Sequence, residues 1–521
     1  MSLRRVGRLA AMMLTTLLFV ACGQVYRPVV IPCSENGIPG CPVQTPPIPA
    51  NFHAVFAIST NAPNNPGGAL QIDVSGDSII GETPTSNPSA PNLGDVPTHA
   101  AILPNNSRVF VASAGSILPG GIDVVSSFTT ASQAPFATGF GAVTTIPLAT
   151  GSQPVFVNTT QSNAVYVANF GTNSVSAVNP STNVVTNTVP VGNNPVGLAE
   201  LPNATKLYVA NQGTNQATSS VSSLNVADLS SNPVTGFTGT NPVWIVARGD
   251  SQKIYVLTQG DGQLVTIDTA TDTVSSSLPV GAGANFIFFD SNLNRLYVTN
   301  PLTSTLYVFS DTGGANDTPL QLAAISFAVG SAPCPLGCEP TSVTALADGT
   351  RFYVATLQLP AGACPDPTVT GSCVVPGLTV FNANSLSLQY PSAPTMTLLT
   401  CPQLTGSNCS APYTFASGQY AVPPVAACVS PVLPALYGPG ATRFRIFTTA
   451  SVDSSHVYVS MCDAGYIADI ITTGSNTNGS GDGPIAPDSL VTDLPTAFGA
   501  GPTQANGYPA NQNPIFMMPG Q

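Results

Sequence analysis

The chain has 521 residues, of which 12 are Lys or Arg and 24 are Asp or Glu, so its formal net charge is −12 at pH 7 and only 7% of it is charged. That balance excludes a nucleic-acid footprint, which needs clustered Lys and Arg, and electrostatic adhesion to anionic lipid, which needs a polybasic segment. The surface must instead be built largely from Ser, Thr, Asn, Gln and Gly.

Residues 1–21 read as an export signal. Arg4, Arg5 and Arg8 form its positive start, and residues 9–20 form an apolar run too short to span a bilayer stably. Phe19-Val20-Ala21-Cys22 resembles a bacterial lipobox. The resemblance implies cleavage before Cys22, acylation of its thiol and a bacterial lipoprotein held in the membrane by that anchor. Gly23 after the Cys, rather than Asp, implies an outer-membrane or cell-surface destination. Cleavage would leave 9 basic against 24 acidic residues, a net charge of −15. Residues 22–50 carry Pro28, Pro32, Pro39, Pro42, Pro46, Pro47 and Pro49 and read as an extended tether. At about 3.1 Å per residue it could reach roughly 80 Å.

Residues 51–521 repeat one phrase. Aromatic anchors fall at Phe56, Phe110, Tyr166, Tyr208, Tyr255, Tyr297, Tyr353 and Tyr458, spaced by 54, 56, 42, 47, 42, 56 and 105 residues. A period in the forties with four short strands per unit is the mark of a propeller blade. One unit places strands at 195–199, 206–211, 220–226 and 233–238, with a turn at Pro202-Asn203-Ala204-Thr205. The next places them at 243–246, 253–257, 263–268 and 273–280, and the third at 285–289, 295–300, 305–309 and 323–327. Helical periodicity is absent beyond the first twenty residues. Phe56 has no strand before it, whereas Asn513-Pro514-Ile515-Phe516 matches the first-strand phrase Asn194-Pro195-Val196-Gly197. The expected fold is therefore an all-β propeller of four-stranded blades, closed by the C-terminal strand. The expected count is eight blades, with seven as the alternative.

The phrases Tyr166-Val167-Ala168-Asn169, Tyr208-Val209-Ala210-Asn211 and Tyr297-Val298-Thr299-Asn300 resemble the YVTN family of β-propeller repeats. The resemblance is strong over residues 160–300. It implies a propeller of a kind found in secreted and surface proteins, and more distantly it reaches lactonase-type propellers. No catalytic motif of those enzymes maps onto this chain.

Residues 357–450 break the blade rhythm and read as a loop-rich insert on one face, where binding usually resides. Residues 474–487 read as a Gly/Ser/Asn-rich loop. Besides Cys22 there are ten cysteines, an even number in an exported chain, which points to disulfides. They fall as Cys33 with Cys41, Cys334 with Cys338, Cys364 with Cys373, and Cys401 with Cys409, leaving Cys428 and Cys462 to each other. The rival use is metal binding at Cys334 and Cys338, beside which no His lies.

Candidate chemistry is sparse. His53, His99 and His456 are scattered and read as structural. Asp73, Asp123 and Asp268, with Asn179 in a matching place, lie near third-strand ends. They read either as turn formers, whose side chains bond the backbone two residues on, or as oxygen ligands for Ca²⁺ at one end of the channel. No cofactor is otherwise implied. Asn169, Asn211 and Asn300 read as turn residues closing the second strand, and Trp244 as core beside the channel. The functional expectation is a lipid-anchored binding scaffold whose partner is a protein or polysaccharide of the cell envelope. The alternatives are a lactonase-like or other hydrolytic propeller with a channel metal, and a structural envelope protein.

Overall fold

The computed structural model describes residues 54–60, 67–74, 77–85, 96–113, 123–129, 144–159, 164–327, 339–358, 371–392, 395–396, 398, 422, 424–425, 428, 444–474, 486–495 and 512–520, all within one compact unit, Pro46–Gln521. The leader 1–21, Cys22, the tether 22–50, His53, Cys33, Cys41, Cys334, Cys338, Cys364, Cys401 and Cys409 lie outside the described residues. Eight four-stranded antiparallel sheets form a β-propeller. Among the described residues, helix amounts to little more than one 3-10 turn at Gln216–Thr218.

In blades I to VIII the inner strands are Pro514–Pro519, Pro97–Ile102, Pro154–Thr159, Pro195–Glu200, Pro242–Ala247, Phe286–Asp290, Glu339–Ala345 and Ile446–Ala450. The second strands, which carry the aromatic anchors, are Ala54–Ser59, Arg108–Ser113, Val165–Asn169, Lys206–Asn211, Lys253–Thr258, Arg295–Asn300, Arg351–Gln358 and His456–Met461. Each inner strand touches that of the next blade, and those of VIII and I touch in turn, so the ring is closed. Blade I joins both ends of the propeller: Phe56 faces Met518 and Ala57 faces Met517. The long interval between Tyr353 and Tyr458 hides no blade, because these anchors belong to the consecutive blades VII and VIII. Residues 357–450 contain two strands of blade VII, Val375–Asn382 and Thr395–Met396, and the inner strand of blade VIII.

Second strands are buried on both faces because each blade is sandwiched between two others; Ile254, Tyr255, Val256 and Leu257 are all fully buried. This is why they read as continuous β-branched and aromatic runs. Outer strands are half exposed and Ser/Thr-rich, as in Thr273–Pro279. Several end in proline, including Val184–Pro190, Thr273–Pro279 and Ser489–Pro495, which blunts an open sheet edge. Blade IV departs from the sequence reading. Its fourth strand is Ser231–Pro233, ending where the pattern placed its start. Val234 adds one more bond, from its N–H to the carbonyl of Val221, and Thr235 then pairs with Thr273 of blade V.

The blades are locked by a recurring clamp. The basic residue opening a second strand, and the tyrosine two positions on, reach the turn before the outer strand of the next blade. Lys206 Nζ lies 2.8 Å from Asp272 Oδ2, and Tyr208 donates to the other oxygen of the same carboxylate. Lys253 Nζ bonds both oxygens of Asp311 at 2.8 Å, and Tyr255 donates to it as well. Arg351 and Tyr353 both bond Asp488. Arg108 reaches Asn183 Oδ1 at 2.8 Å, and Arg295 reaches the carbonyl of Ala383. The acceptors Asn183, Asp272 and Asp488 share one conformation, with φ of 55°, 54° and 54°. Asp and Asn tolerate that left-handed region better than other side-chain-bearing residues.

Removing one partner of a buried ion pair strands the other charge, at about 3–5 kcal/mol. Lys253 is fully buried against Asp311. Asp311→Ala should therefore lower unfolding free energy in guanidinium by about 3–5 kcal/mol. The exposed turn variant Asp228→Ala should change it by about 1 kcal/mol or less.

Candidate functional site

Antiparallel pairing puts the start of every inner strand and the end of every second strand on one face, here termed the upper face. Near that face the inner strands share a register position, two residues after a proline in most blades. It holds His99, Phe156, Gly197, Trp244, Phe286, Ser342, Phe447 and Phe516 in blades II to VIII and I, each paired with the residue two after the aromatic anchor. A register shift follows the proline in five of them, at Pro97, Pro154, Pro195, Pro242 and Pro340. The bulge re-aims the next side chains.

These rings converge on the propeller axis. His99 stacks on Phe156 at 3.8 Å and lies 6.3 Å from Trp244, which comes from a blade three places round the ring. Phe286 meets Phe447 two blades away at 5.6 Å, and Phe447 meets Phe516 at 4.8 Å. Phe444, just before the inner strand of blade VIII, meets Trp244 at 5.6 Å. All seven rings are buried, and Trp244 is 6% exposed. Gly197 carries no ring, and a Cβ there would meet Ile245 Cγ2 at 3.1 Å. The upper end of the axis is thus an aromatic plug of edge-to-face and stacked rings.

The same face carries the pinned part of the irregular segment. A disulfide joins Cys428 to Cys462, at the end of the second strand of blade VIII. Asp463 accepts Arg445 Nε at 2.9 Å and Nη2 at 2.6 Å, and the amide of Val425 at 2.9 Å. Val422 pairs with Val374 beside Cys373, which is also disulfide-bonded. Leu302, in the turn after the second strand of blade VI, is 75% exposed on this face.

On the lower face, the seam between blades VIII and I carries the clamp in altered form. His456 opens the second strand of blade VIII, and its Nε2 lies 3.2 Å from Oδ1 of Asp77, the left-handed residue before the outer strand of blade I. Asp469 stands on the third strand, directly opposite Tyr458. His456, Asp77 and Asp469 bring one ligand atom each within 4.8 Å of one another. Burial pushes the carboxyls of Asp469 and Asp77 up and the imidazolium of His456 down.

The remaining residues singled out in the sequence fall apart. Asp73 and Asp268 end the third strands of blades I and V, whereas Asp123 precedes the third strand of blade II, Val124–Thr129, at its opposite end. They form no common oxygen cage, because third strands lie away from the axis and the three residues belong to separate blades. Asp268 accepts the amide of Ala270 at 2.8 Å, and Asn179 that of Ser181 at 2.8 Å, the bonds of turn formers. The turn reading of Asn169, Asn211 and Asn300 needs correction. All three are buried. Asn169 and Asn211 donate to third-strand serines, and Asn300 donates to the carbonyls of Val280, Gly281 and Ala282 on the incoming linker. Only Asn300 also caps a turn, accepting from Thr303. His99 belongs to the plug, which the sequence reading missed; the repeated phrase Pro-x-aromatic was its signal.

No family model matches the chain, and no curated protein matches it. Among solved structures, it is similar to the periplasmic gluconolactonase of Pseudomonas aeruginosa, with 12% identity, a TM-score of 0.45, and 90% of this chain and 99% of that one covered. It is similar to a candidate 6-phosphogluconolactonase from Bacteroides uniformis, with 12% identity, a TM-score of 0.45, and 65% and 94% covered. Hydrazine synthase of Kuenenia stuttgartiensis gives 15% identity, a TM-score of 0.43, and 67% and 88% covered. Likeness at this level carries no argument about activity.

The seam tyrosines set a pH limit. Burial, then the hydrogen bond to a seam carboxylate, pushes Tyr208 and Tyr255 far above a free phenol, and burial with the charge of Asp488 does the same to Tyr353. Burial pushes Tyr297 up to about 12. These phenols are neutral in the folded chain while the unfolded chain ionises at about pH 10. Their contribution is therefore intact below pH 10 and is lost as pH rises beyond it. Phenolate absorbance from these residues should appear only together with the loss of Trp244 burial, read as a red shift of its emission.

Proposed function

We propose that this chain is an exported binding propeller, held at the cell envelope through a lipid on Cys22, that presents a recognition surface on its upper face. The observation that carries this reading is the aromatic plug. A channel enzyme needs polar ligands and an open path along the axis, and here buried rings from six inner strands fill that position at one end. Recognition then falls to the loops of the upper face. There the disulfide at Cys428, the Arg445–Asp463 pair and the amide of Val425 fasten the irregular segment to a rigid scaffold, which limits the ordering entropy lost on binding. Leu302 adds an exposed apolar contact. The low charge favours a neutral partner, a polysaccharide or a protein surface of the envelope, over a polyanion. A lactonase-like activity is the competing reading, and among the described residues no group of metal-ligating side chains surrounds the axis.

The test is binding of the mature chain to arrayed envelope polysaccharides and to intact cells of the producing organism. The comparison variants are Leu302→Asp and a chain whose residues 401–421 are replaced by a Gly/Ser segment of equal length. Binding should fall at least tenfold, about 1.4 kcal/mol, in both, with Trp244 emission and the thermal midpoint unchanged. Unaltered binding in both, or turnover of sugar lactones abolished by a chelator, contradicts the proposal.

A further inference from the structure

We propose that the seam between blades VIII and I is a divalent-cation site of the Zn²⁺ class, in which His456 Nε2 and the carboxylates of Asp77 and Asp469 staple the last blade to the first. The sibling seams supply the comparison. Where a carboxylate receives the clamp, a permanent cation faces it: Lys206 for Asp272, Lys253 and Arg248 for Asp311, Arg351 for Asp488. At this seam the opening residue is a histidine instead. The carboxylates are also two, because Asp469 stands opposite the anchor where other blades place Ser223, Thr266 or Val308.

The polar atoms point to a missing partner. Asp469 is 0% exposed, and the groups its carboxyl meets are the hydroxyl of Tyr458 and the carboxyl of Asp77, neither of which brings a positive charge. A fully buried carboxylate costs several kcal/mol unless it takes up a proton or a cation compensates it.

The histidine is oriented as a ligand. Ser455 Oγ donates its single proton to Asp453 Oδ1 at 2.6 Å, so the 2.8 Å contact of Ser455 Oγ with His456 Nδ1 requires Nδ1 to be the donor. In the neutral ring, Nε2 then carries its lone pair toward Asp77, 3.2 Å away. A lone pair facing a carboxylate is repulsive unless a proton or a metal ion lies between them. A relay from a carboxylate through a hydroxyl to the distal ring nitrogen is the second-shell arrangement of metal-bound histidines.

The donor set selects the ion. Imidazole and carboxylate together suit Zn²⁺ and its first-row neighbours. Ca²⁺ asks for six to eight oxygens, and Mg²⁺ keeps several waters, which this buried seam does not offer. A Zn²⁺ ion bonds such donors at about 2.0–2.2 Å, so ligand atoms already within 4.8 Å of one another need only side-chain adjustment.

The test uses the mature chain, stripped by chelator, dialysed and titrated with ZnCl2, with MnCl2 and CaCl2 in parallel. Metal content is read by elemental mass spectrometry, and the thermal midpoint by calorimetry. The expected result is one tightly held zinc per chain and a midpoint raised by several degrees. Asp469→Asn, which keeps shape and removes the charge, should lose the bound zinc and the zinc-induced shift. Its metal-free midpoint should be at or above that of the metal-free parent. Asp77→Asn, at a half-buried position, should lose both as well, and serves if Asp469→Asn does not fold. Three results overturn the proposal: no zinc above background with an unmoved midpoint, zinc retained by both variants, or stabilisation by Ca²⁺ but not by Zn²⁺.

Discussion

The polar clamp between neighbouring blades, an ion pair at three of the seams, is the constraint on which the rest depends. A four-stranded blade cannot cover either of its faces alone, so its second strand is apolar on both sides and must be sandwiched. Apolar packing between blades is non-directional and would tolerate slippage. The clamp from Lys253 and Tyr255 to Asp311, and its counterparts at Asp272 and Asp488, fix blades IV, V and VII at a set position against their next neighbours. In a chain with only 12 Lys and Arg, most of the described ones are spent in this way rather than on the surface.

Ring closure follows from the same logic. The first and last strands share blade I, so the ends of the propeller are held in the sheet by main-chain pairing from Val55 to Ser59. Around the axis, one register position gathers rings from blades far apart in sequence, and the propeller is a filled cylinder at its upper end. A filled axis moves recognition outward to the loops. The disulfide at Cys428 and the Asp463 bonds tie part of the longest irregular segment to that same end.

Much of this was legible in the chain. The eight aromatic anchors name the eight blades, and the second strands Lys206–Asn211 and Arg295–Asn300 match their expected limits because local alternation and β-branching decide them. Closure was legible because Pro514-Ile515-Phe516 repeats an inner-strand phrase. The seam clamps were not, since Lys206 and Asp272 are 66 residues apart and meet only once neighbouring blades pack. The plug was half legible: Pro-x-aromatic recurs, but a bulge decides where the ring points. Asp123 was misplaced because an Asp beside an apolar run reads alike at either end of a strand. The group at Asp77, His456 and Asp469 was hidden for the same reason as the clamps, being assembled by closure itself.

The most direct measurement is native-state hydrogen exchange of the closing strand. If the C-terminal strand completes blade I, the amides of Phe516 and Met518 should exchange with the same opening free energy as those of Tyr255 and Val256 in blade V. Amides in 514–519 that exchange at unprotected rates while blade V stays protected would contradict closure, and with it the seam between blades VIII and I.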